Sequence, residues 1–243
     1  TGVDRPSMAT EIMLSQSIPA SGYARVKDDY AEKLPRYKDI IEVDYTSNYI
    51  DSASILGVFR DAQGQAFVHL AMEPSRLNFE PTGEGYRADM EIEGRVTDAA
   101  NPAKTIYQFN RTIPLTVNDS QLSAMRGKLF SYQDLFPLIP GRYRLNVLWK
   151  NKVSKEFATA EAEILVPKPD EFALQAPVLG NKADKASRYR GTTKAFLLND
   201  IQLSPSPRND FQQSDTLSVF SQMVNAPAEV RASGSIEYAV LRD

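Results

Sequence analysis

The chain has 243 residues, 28 basic against 31 acidic for a net charge of -3, and no cysteine. That length fits one domain or one domain with pieces of others. The scattered basic residues of a mildly acidic chain exclude nucleic acid as a partner, the missing thiols exclude disulfides and thiolate metal sites, and no apolar run approaches the ~20 residues of a membrane span.

The first 36 residues hold one alternating segment, Met8 to Leu14, and then a polar stretch from Ser15 to Leu34. Residues 1–36 are therefore expected to be a strand followed by a linker. The chain starts Thr1-Gly2 with no apolar leader, so it is expected to be a piece of a longer protein, with any leader upstream.

From Tyr37 strand signals recur at short spacing: Tyr37–Tyr45, Ser54–Arg60, Gln65–Met72, Tyr86–Val96, Lys104–Val117, Pro140–Lys150 and Phe157–Val166. Turn chemistry separates them, with Asp61-Ala62-Gln63-Gly64 as a hairpin, Pro81 to Gly85 before a strand, and Asn101-Pro102 as a breaker. About seven strands in roughly 130 residues predict an all-β domain, an immunoglobulin-like or fibronectin-like antiparallel β-sandwich over 37–167. One segment leaves the period of two. Asp119 or Ser120 is expected to cap a short helix through Leu122, Met125 and Leu129, with Gly127 near its end.

The clearest run follows Pro140-Gly141: Tyr143, Leu145, Val147 and Trp149 share one face, and Arg142, Arg144, Asn146 and Lys150 the other. The next strand offers Ala158, Ala160, Ala162, Ile164 and Val166 on one side, small enough to make room for the indole. Tyr143 stands where a tyrosine corner would, its hydroxyl bonding backbone across the connection.

Residues 168–195 are expected to be a linker. Residues 196–243, with strands at Phe196–Leu203, Leu217–Val224 and Ser235–Leu241, are expected to be a partial second sandwich. Three strands cannot bury enough apolar surface to stand alone, so further strands are expected to have been removed or to come from another chain.

His69 is the only histidine, so any relay or multi-histidine metal site would have to pass through it. It lies mid-strand, opposite in phase to Val68, Leu70 and Met72, and reads as a surface or cross-strand residue. Asp89, Glu91 and Glu93 alternate with Met90, Ile92 and Gly94, which makes them the solvated face of one strand, with Arg87 and Arg95 as neighbours, rather than a converging acid pair. No glycine-rich phosphate loop leads into a helix. No catalytic, cofactor-binding or metal-ligating residue is assigned, and no cofactor is expected. The one candidate ligand surface is Tyr37, Tyr45, Asn48 and Tyr49, an aromatic and amide group of the kind that stacks on sugar rings, which would make carbohydrate the alternative ligand.

Glu93-Gly94-Arg95-Val96-Thr97-Asp98 closing one strand, Leu138-Ile139-Pro140-Gly141-Arg142-Tyr143-Arg144-Leu145 opening another, the Val166-Pro167 exit and the restart Ile236 to Arg242 together resemble the sandwich-module region of bacterial (Acidobacteria-type) GWxTD domain-containing proteins. The Gly-Trp-x-Thr-Asp motif itself is absent, so none of that domain's residues can be carried over. The resemblance implies an exported, multi-module protein, periplasmic or extracellular. The expected function is that of a non-catalytic module with a structural or protein-protein interaction role, its partner another protein or neighbouring modules of the same chain; the alternative is a carbohydrate-binding module.

Overall fold

The computed structural model describes residues 48–125, 130–186 and 194–239. The expected strands Met8–Leu14 and Tyr37–Tyr45, the linker before residue 37, and Gly127 and Leu129 of the expected helix lie outside them. The described strands up to Val166 are β1 (Ser52–Arg60), β2 (Ala66–Pro74), β3 (Glu80–Thr82), β4 (Gly85–Asp98), β5 (Thr105–Val117), β6 (Tyr132–Pro137), β7 (Gly141–Asn151) and β8 (Glu156–Val166). They form two sheets, β1-β2-β6 and β5-β4-β7-β8, and short β3 extends the second by pairing with the start of β4. Every named pair is antiparallel. Three strands face four, and the chain changes sheet between β2 and β4, between β5 and β6, and again into β7, which is an immunoglobulin-like, fibronectin-like sandwich.

The core follows from alternation. Ala88, Met90, Ile92 and Val96 of β4 and Leu145, Val147 and Trp149 of β7 are almost fully buried, and register sets Trp149 between Ile92 and Ala158. Gly94 lies opposite Phe109, and a Cβ on it would collide with the Phe109 ring, so the ring itself covers the gap in the strand. The Tyr143 hydroxyl donates to the Ile139 carbonyl at 2.9 Å, tying the β6–β7 connection to the strand it opens.

Sequence periodicity misses β6. Tyr132, Asp134 and Phe136 take its inward positions, and a carboxylate there breaks the apolar pattern. Asp134 is matched across the open side of the sandwich: it accepts from the Tyr132 hydroxyl at 2.7 Å and pairs with Arg111 of β5 at 3.2 Å. Beside it Tyr107 stacks on Phe136 with ring centres 5.1 Å apart. Two inward-pointing charges and Pro114 thus blunt the outer strands at this seam, which discourages pairing with another chain.

The helix α1 (Asp119–Met125) is capped by Asn118 and not by Asp119 or Ser120. Asn118 Oδ1 accepts from the Gln121 amide and Gln121 Oε1 accepts from the Asn118 amide, both at 2.9 Å. This reciprocal box satisfies two otherwise orphaned donors.

Beyond Val166 lie β9 (Ala173–Leu174), β10 (Val178–Lys185), β11 (Leu197–Leu198), β12 (Ile201–Pro205), β13 (Ser218–Phe220), β14 (Met223–Val224) and the helix α2 (Ala228–Ser233). They form a sheet in the order β11-β12-β10-β13 and a small ribbon of β9 and β14. Four expectations change here, the first being that Leu217–Val224 is not one strand but β13 and β14, which pair in different sheets. Residues 168–195, expected as linker, contain β9 and β10, because the polar run Asn181–Lys185 finds a partner in β12. Phe196–Leu203 is not one strand but a tight hairpin turning at Asn199, whose φ is 56°. Residues 235–239 form no strand, although Ile236 and Tyr238 alternate, because among the described residues no strand pairs with them and their side chains stay exposed. The partial second sandwich is one sheet whose second layer is the outer face of β1-β2-β6: Phe59 and Ala71 form one buried cluster with Val178, Phe196 and Leu203.

Candidate functional site

That junction holds the one histidine. Alternation sends Val68, Leu70 and Met72 of β2 into the sandwich core and His69 to the opposite face, as read from the sequence. Of the two readings, surface or cross-strand, the surface one fails, because the C-terminal sheet lies over that face and leaves His69 only 3% exposed. Its Nδ1 accepts the Phe196 amide at 2.7 Å, and the ring meets Phe59 and Phe196 edge-to-face at 5.1 and 5.6 Å. Burial lowers its pKa to about 4, so the imidazole is neutral near pH 7 and carries its proton on Nε2. Phe196 sits at φ 57°, a left-handed conformation that costs a bulky residue roughly 1–2 kcal/mol. The bond to His69 and the burial of its ring hold it there.

A cleft of about 720 Å³ opens beside the histidine, between the end of the β1–β2 hairpin, the β11–β12 hairpin and the segment around β13. Gln222 forms a rigid part of its wall, accepting from the Arg60 amide at 2.7 Å and donating to the Arg60 carbonyl at 2.9 Å, as a neighbouring strand would. Phe67, Leu198, Ile201 and Phe220 contribute apolar surface.

Of the four residues expected as a ligand surface, Tyr37 and Tyr45 lie outside the described residues. The other two are placed by an isolated parallel bridge to β8. The Asn48 carbonyl accepts from the Phe157 amide at 3.1 Å, and the Tyr49 ring meets that of Phe157 edge-on at 5.4 Å. Both serve to lead the chain into β1.

The acids on β4 share one face, as expected, but they are more enclosed than a solvated face. Lys150 of β7 reaches Glu93 at 2.6 Å and Glu91 at 3.3 Å, Lys152 reaches Glu91 at 3.0 Å, and Arg87 pairs with Asp89 at 2.5 Å. Burial pushes the Glu91 carboxyl up, yet Lys152, Lys150 and Asn110 together hold it below the usual range. Burial likewise opposes the charge on Lys150, and Glu93 and Glu91 outweigh it and raise its pKa. These carboxylates are neutralised by cations and do not form a proton-sharing pair.

Sequence reasoning missed a second buried carboxylate. Glu156, 3% exposed, accepts from Arg76 Nε and Asn78 Nδ2 at 2.6 Å and from the Ser154 hydroxyl at 2.8 Å. It ties the segment after β2 to the β7–β8 turn, and no spacing in the sequence announces a partner 80 residues away. Among the described residues no group of three or more potential ligands could hold a metal ion, and no helix is long and apolar enough to cross a membrane. The sequence matches no protein-family model, and no curated protein matches it.

Proposed function

We propose that this chain is a non-catalytic module of an exported bacterial protein, periplasmic or extracellular, with a structural or protein-protein interaction role exercised through the part of the chain beyond Val166. The distribution of exposed apolar side chains carries the reading. Of eight large apolar residues exposed among the described ones, six (Phe172, Leu174, Leu217, Val219, Ile236 and Tyr238) lie beyond the sandwich. Apolar exposure concentrated in one part of the chain supports a contact role for that part. The sandwich seam, by contrast, is defended by Arg111, Asp134 and Pro114 against strand addition.

A photo-crosslinking residue placed at Leu174 or Leu217, in the full chain in its native cell, is expected to capture one dominant protein, and the same residue at Thr112 on β5 to capture none. Equal labelling at all three positions, or none anywhere, would sink the interaction role. Kinship with the modules of GWxTD domain-containing proteins belongs to the same proposal, supported by Glu93–Asp98 and Leu138–Leu145. An upstream reading frame without both a leader and a Gly-Trp-x-Thr-Asp block would remove it.

A further inference from the structure

We infer that the cleft beside His69 binds a small neutral ligand that presents a hydrogen-bond-accepting oxygen next to an apolar ring face, the chemistry of a pyranose sugar, with His69 Nε2–H as the anchoring donor. The inference does not rest on the interaction role proposed above, although Val219 belongs to both surfaces.

It begins from a donor with nothing to bond. His69 uses Nδ1 for the Phe196 amide, and Nε2–H has no partner among the described residues. A donor without a protein partner that still reaches solvent is free for a ligand to take over from water. The side-chain atoms sealed from solvent without a partner include Arg60 Nε and Trp149 Nε1 but not His69 Nε2. That nitrogen therefore keeps an outlet, and His69 is part of the cleft lining. Phe59 and Phe196 fix the ring edge-on from two directions, so the donor is aimed before any ligand arrives, which lowers the entropy lost on binding.

Charge selects the ligand class. The charged side chains in the lining are Arg60 and Asp61, one of each sign, and both already hold backbone groups. Arg60 donates from Nη1 to the Gly64 carbonyl and from Nη2 to the carbonyls of Pro167 and Lys168. Asp61 Oδ1 accepts the amides of Gln63 and Gln65. A neutral donor in a lining with no net positive charge favours a hydroxyl or ring oxygen over an anion. Phe67 and Phe220 line the cleft and offer aromatic surface for the C–H side of a sugar, and Asn199 stands at the exposed rim. The cleft's volume of about 720 Å³ falls within the range of small-molecule sites.

A single histidine makes the test unambiguous. The full chain, labelled with nitrogen-15 in the imidazole, would be titrated with glucose, galactose, N-acetylglucosamine, cellobiose and maltose. At least one sugar is expected to shift Nε2 saturably, with Nδ1 moving far less. Phe67→Ala is expected to weaken that binding about tenfold. Val219→Trp, at an exposed position of the cleft wall, is expected to weaken it as much by filling the mouth, and serves if Phe67→Ala loses the fold. No saturable Nε2 shift with any of the five sugars, a proton found on Nδ1, or binding untouched by the substitution that folds would overturn the inference.

Discussion

Acidification is expected to weaken this fold through one residue. The folded chain holds His69 neutral down to about pH 4, whereas the unfolded chain protonates it near 6.5. Below pH 6.5 the unfolded state therefore binds a proton that the native state refuses, so the stability due to the neutral ring is complete above that pH and is lost as pH falls toward 4. At ~1.4 kcal/mol per pH unit the loss approaches ~3 kcal/mol. Carboxylates titrate in the lower part of the same window, so the measurement must be a difference. In His69→Asn the side-chain oxygen can take the place of Nδ1 and accept the Phe196 amide without titrating. Urea unfolding, followed by the fluorescence of the one tryptophan, should show the advantage of wild type over His69→Asn shrinking by ~3 kcal/mol between pH 7 and 4. The protection factor of the Phe196 amide, corrected for the intrinsic pH dependence of exchange, should fall over the same range in wild type alone. A difference flat with pH, or an imidazole titrating near 6.5 in the native protein, would mean that the C-terminal sheet does not cover β2.

Trp149→Ala should cost about 3–5 kcal/mol, read by circular dichroism; an unchanged urea midpoint would contradict a core built on that indole. Tyr143→Phe removes the bond to the Ile139 carbonyl and should cost about 1 kcal/mol, with the fold intact. Gly94→Ala should cost about 1–3 kcal/mol because the methyl meets the Phe109 ring, and adding Phe109→Leu should recover part of the loss; purely additive costs would show that the two do not touch. Arg111→Val should leave the chain folded but more prone to associate than wild type, visible as a steeper concentration dependence of the sedimentation coefficient, and a variant that associates no more than wild type would deny Arg111 that guarding role.

Strands β4, β7 and β8 were legible in the sequence because each has one face on the core and one turned away, and that asymmetry writes itself as a period of two through Met90, Ile92, Trp149 and Ala158. The same logic hid β6, where Asp134 occupies an inward position tolerable only because Arg111 arrives from the opposite sheet. It also hid β10, whose second half, Asn181–Lys185, is largely exposed and carries no periodic signal. At the site, alternation placed His69 on the correct face but could not tell water from a second sheet. Only contact with Phe196, 127 residues further along, made that face an interior. Local sequence determined which residues could be strands and which way their side chains pointed, since pleat and turn chemistry act over a few residues. Tertiary structure decided which polar groups were buried, because desolvation depends on what comes to lie above them, and here that cover came from the far end of the chain.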